Sequence, residues 1–153
     1  MTSELVRATR GRIVVGVDGS KSSKAALGWA ARLVPVVGGD IEAIIAWDFP
    51  LSYGAAVGFP EGWRPDIDAS KVLTEALDDV FGAHRPPGLV TSVRRGYTSA
   101  VLLDASRDAE MLIVGSRGHG GFTGLLLGSV SASVSEHATC PVLVVHGHTS
   151  PPS

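Results

Sequence analysis

Four short, nearly continuous apolar runs limit what this chain can fold into. They are Ile13-Val14-Val15-Gly16-Val17, Ile41 to Trp47, Met111 to Val114, and Val142 to Val145. Runs of this length without alternation suit strands buried on both faces, and such strands belong to parallel sheets covered by helices on each side. A fifth segment, Leu89 to Arg94, alternates apolar and polar residues, as an edge strand with one solvated face does.

The segments between the runs carry helical spacing. Ser20 can cap a first helix, with Ala26, Leu27, Ala30, Leu33 and Val34 on one side, and Pro35 with Gly38-Gly39 is expected to end it. A second helix is expected over Asp68 to His84, stopped by Arg85-Pro86-Pro87-Gly88. Thr98 or Ser99 can cap a third, running to about Arg107 with Val101, Leu102 and Ala105 inward. A fourth is expected over Ser129 to Ala138. The strict alternation of strand and helix implies right-handed crossovers. The fold expected is therefore α/β: an open five-stranded parallel sheet with helices on both faces, Rossmann-like. Residues 11–146 form a single domain in this reading, with flexible ends at 1–10 and 147–153.

Composition excludes several classes. Hydrophobic residues make up 44% and charged residues 18%, unlike a disordered polar chain. Thirteen basic and fifteen acidic side chains leave a net charge of −2, so nothing favours general attraction to nucleic acid or an acidic membrane face. No apolar run approaches the ~20 residues that span a bilayer, and the first residues lack a signal-peptide core. A cytoplasmic location without membrane attachment is expected. Cys140 is the single cysteine and reads as a buried structural thiol.

The chemistry concentrates after the Met111–Val114 run. Six glycines fall within the fourteen positions from Gly115 to Gly128. Glycine admits positive φ and lets a ligand approach the main chain, and successive N–H groups can converge on an anion. Gly128-Ser129 then opens a helix, whose free N–H groups and positive dipole end suit phosphate. Two better-known phosphate motifs fail. No Gly-Lys pair exists for a P-loop, and a G-x-G-x-x-G begun at Gly118 would end on Thr123. In open parallel sheets, ligands bind beyond the carboxyl ends of the strands where the winding reverses.

Gly115, two residues, Gly118, nine residues, then Gly128-Ser129 resembles the phosphate motif of ATP-binding universal stress proteins. The resemblance extends from the opening strand and its Asp18 turn to the closing His137-Ala138-Thr139-Cys140-Pro141 segment. It implies sheet order 3-2-1-4-5, with Asp18 and Gly115 at the switch point. It further implies adenine and ribose near Gly16, Val17 and Asp18, with adenine on the backbone of Ala46. Gly115 and Gly118 would approach ribose and phosphates, and Gly128, Ser129 and Val130 would receive the terminal phosphates. Ser116, Arg117, His119, Gly120 and Gly121 lie among these positions and complete the candidate site. ATP, with or without Mg2+, is the expected ligand, with cyclic AMP as an alternative. A homodimer through Val142, Leu143, Val144 and Val145 is expected.

Other candidates read more blandly. Asp18 also suits a turn-stabilising aspartate. His146-Gly147-His148 is too short to define a metal geometry, and a solvated tail is expected there. Arg94-Arg95 reads as a solvated strand end. Ser131, Ser133 and Ser135 follow Ser129 as cap or surface hydroxyls. The segment from Asp48 to Asp66, with Phe49, Tyr53, Phe59 and Trp63, reads as an adenine-side flap or a subunit contact. No general base stands out, so nucleotide binding with slow hydrolysis or none is expected. An enzyme that cleaves ATP or phosphorylates itself at Ser129 or Thr123 is the alternative, and a nucleotide-free scaffold is a third.

Overall fold

A computed structural model of the chain describes residues 11–49, 59–117 and 127–147. Five parallel strands form one sheet: β1 (Gly11–Gly16), β2 (Gly39–Trp47), β3 (Val90–Arg95), β4 (Met111–Gly115) and β5 (Val142–Val145). Their spatial order is β3-β2-β1-β4-β5, so β1 and β4 meet at the centre, where the winding reverses. The apolar runs sit where a two-sided sheet needs them. Ile13, Val14, Val15, Ile44, Leu112 and Ile113 are essentially inaccessible. The alternating segment became β3, the edge strand, with Val90 and Val93 exposed.

Helices cover both faces. α1 (Lys21–Val37) and α2 (Pro65–Phe81) pack over Ile13, Val15, Ile41, Ala43, Ile45 and Ile113. α3 (Thr98–Ala105) and α4 (Ser129–His137) pack over Val14, Ile44, Leu112 and Val114. Each fully buried Leu or Ile contributes roughly 1.5–3 kcal/mol of transfer free energy. Lys24 Nζ bonds Asp79 Oδ2 at 2.8 Å and ties α1 to α2. Cys140 is partly buried against the α3–α4 layer.

Several helix ends differ from the sequence expectation. Ser20 caps α1 as expected, its hydroxyl accepting from the Ser23 N–H at 3.2 Å. Pro35 does not end that helix. α1 continues through it to Val37, and Gly38 terminates it at φ 80°, donating its N–H to the Val34 carbonyl at 2.8 Å. Proline only removes one N–H and crowds one carbonyl in the last turn, a local cost that packing of Leu33, Val34 and Val37 offsets. α2 starts earlier, at Pro65, where a proline costs nothing because first-turn N–H groups lack helical acceptors. It also stops earlier, at Phe81, with Gly82 at φ 58°. α3 is capped at Tyr97 without a side-chain bond, and its last turn tightens into a 3-10 turn over Ser106–Asp108.

One polar cluster is built into the sheet. Glu42 on β2 is buried, yet its carboxylate accepts from Arg12 Nη1 at 3.0 Å, Ser92 Oγ at 2.8 Å and Arg94 Nη2 at 2.9 Å. Arg12 also donates to the Ala105 carbonyl at 2.5 Å, at the end of α3. Three strands and a helix terminus are thereby joined on one face. The expectation of a solvated Arg94-Arg95 pair is corrected. Arg94 serves Glu42, while Arg95 lies over the Trp47 and Phe49 rings at 5.6 and 5.3 Å and bonds Asp48 at 3.2 Å.

Candidate functional site

The site is assembled where β1 and β4 end side by side. Beyond β1, Val17 stays in the sheet through its N–H on the Ile44 carbonyl at 2.8 Å. Asp18 then turns the chain. Its Oδ1 accepts from the Ser20 N–H at 2.9 Å, and its own N–H donates to Ser23 Oγ at 3.3 Å. Gly19 takes φ 82° between them, a conformation that suits glycine. Asp18 therefore does support the turn into α1, and it does so half-buried at the cleft edge. Ala46 lies half-buried near the end of β2, in register with Arg94 of β3.

Gly16 and Gly115 are glycines because helices press on them. A Cβ on Gly16 would meet Leu102 Cδ1 of α3 at 2.8 Å. A Cβ on Gly115 would run into the Ser22 side chain and lie 2.7 Å from the Ser22 backbone carbon. Both thus bring a helix close to the central strands, and the cleft is shaped around that packing.

After β4 the described chain continues through Ser116 and Arg117, and Gly128 leads into α4. The Ser116 N–H donates to the Val145 carbonyl at 2.8 Å, and its carbonyl accepts from the Gly128 N–H at 2.6 Å. That bond joins the described residues on either side of positions 118–126. Gly118, His119, Gly120 and Gly121 of the candidate site lie outside the described residues, as does Thr123. Arg117 is exposed, and its carbonyl accepts from Ser22 Oγ at 2.5 Å.

α4 starts at this junction. Its N-cap, Gly128, is extended at φ −72° and ψ 169° and supplies no side-chain cap. The first-turn N–H groups of Ser129 and Val130 have no intrahelical acceptor by geometry. Ser129 is exposed. Gly128, by contrast, has its N–H engaged with the Ser116 carbonyl.

Reading the sequence missed the buried serines. Ser20, Ser22, Ser23, Ser116 and Ser131 are all buried around the two strand ends. Ser131, expected on the surface or at a cap, is 1% exposed and donates toward the carbonyls of Ser116 at 2.9 Å and Gly128 at 3.1 Å. The available signal was their position: Ser20, Ser22, Ser23 and Ser131 lie at the cap or first turn of a helix, and Ser116 directly follows β4. Among the described residues no cluster of three or more His, Cys, Asp or Glu could hold a metal. His137 Nδ1 lies 3.0 Å from the Ser133 carbonyl, His146 is exposed, and His148 lies outside the described residues. No helix among the described residues is long and apolar enough to cross a membrane.

Phe49, Phe59 and Trp63 form an aromatic cluster with Trp47 at the end of β2, with centroids 4.7 to 5.8 Å apart. Tyr53 lies outside the described residues.

A central β1–β4 switch point, with helices on both faces and a helix N-terminus beside the strand ends, defines a doubly wound α/β protein. The family model for the universal stress protein family matches residues 9–146, and the chain belongs to that family. It is 37% identical over 149 residues to a universal stress protein of Mycolicibacterium smegmatis, covering 92% of this chain and 49% of that one. The chain spans about half the length of the curated relatives it matches. Among solved structures, it resembles a universal stress protein in complex with cAMP at TM-score 0.65 and 25% identity, covering 90% of this chain and 98% of that one. It also has the fold of the hypothetical protein MJ0577, at TM-score 0.71 and 18% identity, covering 92% of this chain and 99% of that one.

Proposed function

We propose that the protein binds an adenine nucleotide, ATP in the first place, and acts as a stress-response regulator whose occupancy biases loop conformation or dimer state. The observation that supports this reading most is the uncapped N-terminus of α4, fixed at the mouth of a glycine-rich loop and at the β1–β4 switch point. Adenine and ribose would rest against Gly16, Val17, Asp18 and the backbone of Ala46. The phosphates would lie in the stretch from Gly115 to Gly121 and on the N–H groups of Ser129 and Val130, with the Ser129 hydroxyl as a further donor. Where Mg2+ accompanies the nucleotide, the nucleotide's own phosphates would carry it.

The residues of the site bind and orient. In this reading the nucleotide is held and sensed, with slow hydrolysis or none. The proposed homodimer uses β5, whose Val142, Leu143 and Val144 are only partly buried along an unpaired sheet edge, while Val145 is buried within the chain. A cytoplasmic location belongs to the same reading.

Cyclic AMP is a second reading, favoured by the complex of a 25% identical relative with that ligand. Calorimetry on nucleotide-free protein with ATP and with cyclic AMP separates the two. Binding of neither at sub-millimolar concentration overturns the adenine-nucleotide proposal altogether. A mass shift after incubation with Mg·ATP, absent in Ser129→Ala, would instead support self-phosphorylation.

A further inference from the structure

We propose that Ser131 is a positioning residue for the phosphate end of the cleft, acting through the loop mouth and not by touching ligand. The proposal rests on the nucleotide reading above, and its test separates the two. Ser131 lies in the first turn of α4, 1% exposed, with its hydroxyl between two main-chain carbonyls. One belongs to Ser116, 2.9 Å away on the outgoing stem of the glycine loop. The other belongs to Gly128, 3.1 Å away on the returning stem. A hydroxyl has a single proton, so it serves these two acceptors as a shared or alternating donor.

The Ser116 carbonyl accepts a second bond from the Gly128 N–H at 2.6 Å. A carbonyl oxygen has two lone pairs, and both are thus used by the segment that starts α4. Ser116 is in turn held to β5 through its N–H on Val145 at 2.8 Å. The position of the Ser129 and Val130 N–H groups relative to the central strands is therefore set in part through one carbonyl, beside the packing of Val130 and Val134. Ser22 repeats the arrangement on the other side, its hydroxyl on the Arg117 carbonyl at 2.5 Å from the first turn of α1. Two buried hydroxyls, one from each helix that starts at the cleft, thus hold the outgoing stem.

Ser129 and Ser131 consequently have different tasks. Ser129 is exposed at the anion-facing end, whereas Ser131 faces away from it into the protein. Preorganised donors bind anions better because they need no reorganisation when the ligand arrives. Losing the Ser131 hydroxyl loosens the mouth but removes no donor from the ligand.

The test compares Ser131→Ala with Ser135→Ala, an exposed hydroxyl of the same helix. ATP and adenosine affinities are measured by calorimetry, and amide exchange at Gly128 by NMR. Ser131→Ala should weaken ATP about five- to tenfold, leave adenosine binding unchanged and speed Gly128 exchange, since one net hydrogen bond carries about that much. Ser135→Ala should do none of these. Unchanged ATP affinity in Ser131→Ala, or an equal loss for adenosine, overturns the positioning role. If the wild-type protein binds no nucleotide, the functional proposal fails. Gly128 exchange then decides the role of Ser131 alone: acceleration in Ser131→Ala sustains the stem-holding part, and no change overturns it.

Discussion

The buried carboxylate of Glu42 and the guanidinium of Arg94 are joined at 2.9 Å, although 52 residues separate them in the chain. Arg12 approaches the same carboxylate from the opposite neighbouring strand at 3.0 Å. A carboxylate deep in a sheet is costly unless paired on every side, and Glu42 has both arginines and Ser92. The two arginines are each 36% exposed in their side chains, so water screens part of their attraction.

The asymmetry in exposure predicts an asymmetry in cost. Arg94→Met should destabilise by about 1–2 kcal/mol, because Glu42 keeps Arg12 and Ser92. Glu42→Gln should cost about 2–3 kcal/mol, since it leaves two arginines facing an amide in a site shaped for an anion. Urea denaturation of the three proteins measures both. Equal stability of Glu42→Gln and wild type would show that the cluster contributes nothing net.

Gly115 makes a second, steric prediction. An added methyl would run into Ser22, and the Ser22 backbone carbon at 2.7 Å prevents relief by a rotamer change. Gly115→Ala should therefore destabilise by about 1–3 kcal/mol, as overpacking in a tight core does. Adding Ser22→Ala should recover only part of the loss. Gly16→Ala should be milder, because its nearest obstacle is the end of the Leu102 side chain at 2.8 Å. Thermal unfolding of the three variants beside the wild type tests the ranking.

Pro35 predicts a gain. It sits exposed in the last turn of α1, where its ring crowds a carbonyl one turn back and it donates no N–H. Pro35→Ala should stabilise by about 1–2 kcal/mol, less than the full interior cost because proline also restricts the unfolded chain. A lower melting temperature for Pro35→Ala would contradict this account of the helix end.

The pair Arg64–Asp66, bonded at 2.9 Å at the start of α2, sets a pH dependence. The hydrogen bond from Arg64 is the main cause holding the Asp66 carboxyl below the ordinary aspartate range. A depressed folded pKa gives stability that is fully present above the unfolded value and is lost as pH falls through the folded one. The contribution of this pair should therefore be fully present and independent of pH at neutral and alkaline values, and be lost only on acidification. Asp66→Asn should flatten the acid limb of a plot of melting temperature against pH and leave its slope near neutrality unchanged.

Strands were readable in this chain because each buried one is a compact apolar run, and β5 spans the same residues, Val142 to Val145, in sequence and structure. The helix ends were harder. Pro35 looks like a stop, yet apolar neighbours on its own turn hold the helix past it. Pro65 looks like loop, yet it is the first helical residue. Side-chain partners across the sheet were not readable at all. Glu42 meets Arg94 only because β2 and β3 pair in parallel with Ala46 opposite Arg94. The glycines of the site were legible as a group, but the reasons differ along it. Gly115 answers to helix packing, whereas Gly128 adopts an ordinary extended backbone and offers the helix start no side chain.

That difference makes Gly128→Glu an informative variant for the proposed ligand. At φ −72° and ψ 169°, position 128 has a conformation that any residue adopts. A carboxylate at the N-cap of α4 is favourable to the helix itself, by about 0.3–1 kcal/mol, because it faces the positive end of the dipole. It places that negative charge where the phosphates are proposed to lie. Stability should therefore hold or rise slightly while ATP affinity falls about 100-fold or more, since like charges at contact distance in a partly desolvated cleft repel by several kcal/mol. Adenosine, without phosphates, should bind as it does to the wild type. Calorimetry with ATP and adenosine, beside a thermal melt, reads all three quantities. Wild-type affinity for ATP in Gly128→Glu would place the phosphates elsewhere than on α4. Loss of both ligands with a lowered melting temperature would instead mark residue 128 as a structural position of the loop mouth.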